Sequence, residues 1–193
     1  MKMNIPLFEG ELVYLGAINP EQDAPVEAGW TLDGEFLRML GEDLVRPLSS
    51  AEVKKRYREI EKEIDEKRNQ FYFTIRRSAP GESENQDRLL GFTRLSRVEW
   101  NHGIATLTLG IGDPGERRKG YGNDALNLIL HYAFKELNLF RLNASIPGYN
   151  QAGLQLFKKA GFKEEARRRE AYRWAGLRWD GIFLGLLKED WEQ

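Results

Sequence analysis

Apolar positions along the chain follow two rhythms. Val53, Tyr57, Ile60 and Ile64 recur at i, i+4, i+7 and i+11 on an otherwise charged segment. That spacing predicts an amphipathic helix with one apolar stripe. Ser49 and Glu52 form a capping-box pattern at its start, and Leu48 and Val53 occupy the staple positions. A stripe of this kind needs a sheet or a second helix to cover it. After Gly122 the helical rhythm returns, with Leu126, Ile129, Leu130, Ala133, Phe134 and Leu137 on one face.

Short apolar runs bounded by turn residues predict strands. They fall at residues 10–18, 71–76, 89–98, 105–111 and 141–146, with a terminal hairpin over 162–174 and 181–187. The polar stretch 78–87, with Pro80 and Gly81, reads as a hairpin loop, and Asn101-His102-Gly103 as a turn. Residues 21–41 look helical but interrupted at Pro25, Gly29 and Gly34, and 150–160 a short helix stopped by Gly161. The order is strand, two helices, three strands, helix, strand, helix, two strands. Antiparallel pieces precede a β-α-β-α segment, which predicts an α+β fold with helices covering a mixed sheet.

Composition narrows the function. The 193 residues suit one domain, and 41% hydrophobic with 31% charged residues is a normal globular mix. Twenty-nine Lys and Arg against thirty Asp and Glu argue against a nucleic-acid-coating protein. With no cysteine, disulfides, thiolate metal sites and a cysteine nucleophile are excluded. Two histidines, His102 and His131, make a multi-histidine metal site improbable, so no metal is expected. No apolar run approaches the ~20 residues of a membrane span, and the first residues lack a signal-peptide core. A cytoplasmic protein without a membrane partner is the expectation. The 49–70 helix carries both charge signs on its polar face, unlike a membrane-surface helix.

The segment from Leu109 to Ala125 is glycine-rich and joins a strand to a helix. Amides at a helix start attract anions, and glycines let a phosphate approach closely. Gly110-x-Gly112-x-x-Gly115 matches a dinucleotide fingerprint literally, but Pro114, Gly115 and Gly120 delay the helix to about Tyr121. A Walker A loop fails because Tyr121 stands where lysine is required. What remains is Arg117-Arg118-Lys119-Gly120-Tyr121-Gly122, an Arg-x-x-Gly-x-Gly loop or an ordinary basic turn.

That loop resembles the pyrophosphate loop of the GNAT-family N-acetyltransferases, which bind acetyl-CoA. Downstream, Asn150-Gln-Ala-Gly-Leu-Gln-Leu-Phe157-Lys-Lys-Ala-Gly-Phe162 resembles the family's Asn-x-x-(Ser/Ala)-x-x-Leu-Tyr-x-x-x-Gly-Phe helix. The closing hairpin, with Tyr172, Trp179-Asp-Gly and Leu184-Gly-Leu-Leu187, resembles that of the RimJ/RimL-type subgroup. The resemblance spans the chain, best over 88–187, and implies one acetyl-CoA-binding N-acetyltransferase domain over 1–193. It implies a mostly antiparallel central sheet with a splayed pair of parallel strands. The implied reaction is direct attack of a primary amine on the thioester. The acceptor would be a small molecule or peptide: a protein N-terminus, a polyamine, an amino acid or an antibiotic amine. A non-catalytic CoA-responsive module is the alternative.

By the same resemblance, amides of residues 118–122 and of Asn123 would cradle the pyrophosphate, including those of Arg118, Lys119, Gly120, Tyr121 and Gly122. Arg117, Arg118 and Lys119 would add charge, or form a solvated surface cluster. The strand carrying Leu109, Gly110, Ile111 and Gly112 would pair with the pantetheine arm, and Asn150 would hydrogen-bond it or cap its own helix. Phe157 would pack on the sulfur. Two departures leave the catalytic residues unassigned. Phe157 replaces the tyrosine proposed as acid, and Thr106 stands where many subgroup members carry glutamate. Glu99, His102 and Asp113 are candidates for a proton relay through water, or exposed turn residues. Trp30, Phe36, Arg46, Tyr172 and Trp174 are nominated for the acceptor pocket, and Trp174 and Trp179 for a homodimer contact.

Overall fold

The computed structural model describes residues 6–41, 44–77 and 88–192. Its strands are β1 (Val13–Gly16), β2 (Phe71–Arg77), β3 (Leu89–Glu99), β4 (Ile104–Ile111), β5 (Arg141–Pro147), β6 (Lys163–Trp174) and β7 (Leu177–Leu187). Its helices are α1 (Pro20–Trp30), α2 (Gly34–Met39), α3 (Ser50–Lys67), α4 (Tyr121–His131), α5 (Gln151–Lys159) and the short α6 (Lys188–Trp191). All strands join one sheet in the order β1-β2-β3-β4-β5-β7-β6, antiparallel except at β4–β5. The predicted α+β class holds. The predicted loop 78–87 lies outside the described residues.

Strand alternation sorts side chains between two cores. Leu90, Leu95, Ala105, Leu107, Leu142, Ala144, Leu184 and Leu186 face α4 and α5. Tyr72, Leu89 and Phe92 face α1, α2 and α3. The capping box at Ser49 and Glu52 forms as predicted, and such caps contribute about 1 kcal/mol. Hydrogen bonds from Arg46 and Ser49 hold the Glu52 carboxyl down at about 2. Val53 is fully buried, which stabilises by roughly 1.5–3 kcal/mol.

Boundaries differ from the sequence reading: β7 starts at Leu177 rather than at 181, and two further differences have a physical cause. Pro25 does not interrupt α1, which runs unbroken from Pro20 to Trp30; the break falls at residues 31–33. Buried anchors offset the hydrogen bond that proline removes. Asp23 pairs with Arg76 of β2 at 2.6 Å, and Glu27 bonds Arg56 and the Tyr57 hydroxyl of α3. Burial pushes the Tyr57 and Tyr72 hydroxyls up, so Tyr57 stays a neutral donor to Glu27. β1 is shorter than predicted because the Leu12 and Val13 amides turn to the Asp124 carboxylate of α4, at 2.8 and 3.0 Å.

The feature that positions the site is a split. β4 and β5 pair only at Ile104–Arg141, Ala105–Leu142 and Thr106–Asn143. β4 then runs on to Ile111 without β5, while β5 continues against β7 to Pro147. This is the splayed parallel pair expected from the sequence.

Candidate active site

The split opens toward the glycine-rich loop. β4 ends at Ile111, a 3₁₀ turn over Pro114–Glu116 follows, and α4 begins at Tyr121. Asp113 caps the turn by accepting from the Gly115 amide at 2.8 Å. Arg118 and Gly120 take positive φ values of 62° and 92°. Gly120 is the N-cap of α4 and supplies no side-chain oxygen. Among the described residues, the amides of Arg118, Lys119, Gly120, Tyr121 and Gly122 therefore find no acceptor. Free amides in successive positive-φ turns at a helix start make a nest for an anion. The Asn123 amide differs from expectation, since it bonds the Gly120 carbonyl at 3.0 Å.

The basic side chains of the loop are less available than their motif suggests. Arg117 folds back and donates to the Ile111 and Gly112 carbonyls at 3.2 and 2.9 Å. It also approaches Glu35 and Asp33 of the α2 start at 3.4 and 3.8 Å. Lys119 pairs with Glu116 at 2.9 Å. Arg118 is the loop cation with no ion pair among the described residues. Of the three cations expected near the phosphates, Arg117 and Lys119 thus have partners within or beside the loop.

Several other residues also serve the framework. A Cβ on Gly112 would lie 1.9 Å from the Trp30 indole, and one on Gly110 3.0 Å from Leu40. Glycine there lets α1 and α2 close over β4. The Asn150 side chain accepts from the Gly153 amide and donates to the Met39 carbonyl, capping α5 and tying it to α2. Phe157 is only 4% exposed and packs edge-on against Phe162 at 5.0 Å, a core position. Leu109 and Ile111 line the α4 side of β4, and Tyr121 is buried at the helix start.

On the opposite face of β4 lies a cavity of about 530 Å³. Thr106 and Thr108 of β4, Arg94, Ser96 and Arg97 of β3, Ser145 of β5, Phe183 of β7, Arg168 and Tyr172 of β6, and Leu40 line it. It is the size of a small-molecule site. A bulge between Ser96 and Glu99 puts Arg97 at positive φ. Behind the cavity residue Tyr172, Tyr149 contacts Tyr172, Trp174 and Trp179, and burial pushes its hydroxyl up.

Of the nominated pocket residues, Tyr172 lines the cavity. Trp30 and Phe36 are core, Arg46 pairs with Glu52 in solvent, and Trp174 stacks in the terminal aromatic cluster. The relay of Glu99, His102 and Asp113 does not assemble. The first two sit at the β3–β4 turn and Asp113 beyond the other end of β4, ~25 Å along the strand. Sequence reasoning missed Arg94, Arg97, Arg168 and Ser145, which only the sheet order brings together. Among the described residues, no group of three His, Cys, Asp or Glu is placed to hold a metal, and no helix is long and apolar enough to cross a membrane.

Comparison with known proteins fits this geometry. Residues 13–163 match the acetyltransferase (GNAT) domain family. The chain is 25% identical over 190 residues to the SPβ prophage-derived uncharacterized N-acetyltransferase YokL of Bacillus subtilis, covering 98% of each. It is 31% identical over 140 residues to an N-acetyltransferase 9-like protein of Caenorhabditis briggsae, covering 69% of this chain and 66% of that one. Among solved structures, a probable acetyltransferase superposes with a TM-score of 0.80 at 19% identity over 97% of this chain and 98% of its own. A spermidine N-acetyltransferase of Vibrio cholerae, solved with CoA and spermine, does so at 0.77 and 20% identity over 94% and 98%. The split sheet and the open amide nest fit a thioester cofactor with a diphosphate, as this family uses. The chain belongs to the GNAT acetyltransferase domain family and is an acetyl-CoA-dependent N-acetyltransferase.

Proposed function

We propose that the chain acetylates a primary amine that enters from the arginine-lined cavity and meets the thioester at the β4–β5 split. The observation that carries this reading is the alignment of three features on β4. The loop amides of residues 118–122 follow its end, the unpaired stretch beyond Thr106 forms its middle, and the cavity lies on the face of Thr106 and Thr108.

Residues 118–122 would hold the diphosphate through their amides, with Arg118 adding charge. The backbone of Leu109, Ile111 and Gly112 would pair with the pantetheine arm where β5 has left β4. Bound acetyl-CoA supplies an activated acetyl thioester. The amine nitrogen attacks its carbonyl carbon, a C–N bond forms, the C–S bond breaks, and the departing sulfur takes a proton. The acceptor must first lose its own proton, because an alkylammonium has a reference pKa of ~10.4. No carboxylate or imidazole lines the cavity among the described residues. Arg94, Arg97 and Arg168 favour the uncharged amine instead, since like charges disfavour protonation.

The long terminal hairpin of β6 and β7 supports the RimJ/RimL-type subgroup. Leu177, 59% exposed at its tip, supports self-association there. The cysteine-free sequence suits a cytoplasmic enzyme. The test is thiol release from acetyl-CoA across a panel of amines, with the acetylated product identified by mass spectrometry. Transfer to oxygen acceptors but to no amine would overturn the reading.

A further inference from the structure

Resting on that reading, we propose that the acceptor is a small primary amine carrying its own anionic group, a carboxylate or a phosphate, which Arg94, Arg97 and Arg168 select.

The grouping of arginines points to this. Arg58, Arg118, Arg173 and Arg178 also lack an ion pair among the described residues, but Arg94, Arg97 and Arg168 converge on one cavity. The three cavity arginines have no acidic partner among the described residues, and no carboxylate stands among the cavity's lining residues. Arg94 goes further, because its Nε is shut off from solvent and donates to nothing. A buried guanidinium donor without an acceptor is a costly arrangement that folding alone does not select.

An oxyanion satisfies it. Guanidinium N–H groups match carboxylate and phosphate oxygens in a planar fork. The hydroxyls of Thr106, Thr108 and Ser145 add donors beside them. A polycation meets the opposite field: three positive charges repel it, and Thr106 offers a hydroxyl with no charge to hold it. The substrate's anion thus offsets the cost of bringing an ammonium into the cavity, and the arginines then ease loss of its proton.

The test is steady-state kinetics at saturating acetyl-CoA with two matched pairs, phosphoethanolamine against ethanolamine and β-alanine against β-alaninamide, and with spermidine. The charged member of at least one pair is expected to be favoured by roughly tenfold or more in kcat/KM, with spermidine poorest. The phosphate and carboxylate arms distinguish the two anions. R94Q, and the solvent-exposed R168Q should R94Q fold poorly, are expected to reduce the preference through KM while the acetyl-CoA Kd stays unchanged. A preference for the neutral members or spermidine, or one that survives in both variants, overturns the proposal. Should wild type fail to bind acetyl-CoA, the acetyltransferase reading falls first. Calorimetry of phosphoethanolamine and β-alanine against their neutral matches on the same protein then decides separately, and absent or equal binding overturns it.

Discussion

Two regions of β4, the loop after its C-terminal end and the cavity on its Thr106 and Thr108 face, offer donors for anions by opposite means. At its C-terminal end the loop offers backbone amides, and its most prominent cations are consumed internally: Arg117 by two carbonyls and the acids of α2, Lys119 by Glu116. At the cavity the backbone is tied up in the sheet and the charge is carried by side chains, with three arginines lacking acids. A run of basic residues in a motif is therefore a poor guide to where free positive charge resides. On the proposed reading, main-chain hydrogens would recognise a group common to every turnover, whereas side chains would recognise what must be chosen.

Perturbing paired and unpaired arginines should separate the two roles most strongly. Asp23→Asn removes the carboxylate charge that faces Arg76, 6% exposed, in the core and is expected to cost about 3 kcal/mol in chemical denaturation. Arg94→Gln should fall within about 1 kcal/mol of wild type or be more stable, because no internal partner is lost. A large loss from Arg94→Gln would mean that this side chain serves the fold. Gly120→Val probes the loop. At φ 92° a β-branched residue is strained by about 1–3 kcal/mol, so acetyl-CoA should bind ~10–100-fold more weakly in calorimetry, with the circular dichroism unchanged.

Phe157→Tyr asks whether a missing acid limits the enzyme. The ring is buried against Phe162, so an added hydroxyl should lower stability by about 1–3 kcal/mol and leave turnover within about twofold. A large rise in turnover would restore the tyrosine's catalytic role and move the centre of the chemistry toward α5. The smallest effects distinguish the loop cations. Arg118→Gln should weaken acetyl-CoA by ~2–5-fold, while Lys119→Gln, its partner Glu116 close by, should change it by less than ~2-fold.

The loop end was legible in the sequence and the cavity was not, for one physical reason. An amide nest needs special backbone angles at neighbouring residues, so Gly120 and its flanks are written contiguously. The cap of α3 at Ser49 and Glu52 was readable for the same reason. The cavity draws on β3, β4, β5, β6, β7 and the end of α2, and only the pairing order brings Arg94, Ser145 and Arg168 together. Aromatic residues misled: Trp30 and Phe36 were natural pocket candidates, yet they fill the space that Gly112 and Gly110 leave open. Pro25 misled too, because buried ion pairs hold α1 where local propensity reads a break.

The most direct measurement is a crystal structure of the protein with CoA. The diphosphate should rest on the amides of residues 118–122, with the arm along β4 past Thr108 and the thiol at the mouth of the arginine-lined cavity. A diphosphate bound to Arg94 and Arg168, with those amides facing only water, would contradict the division of labour along β4.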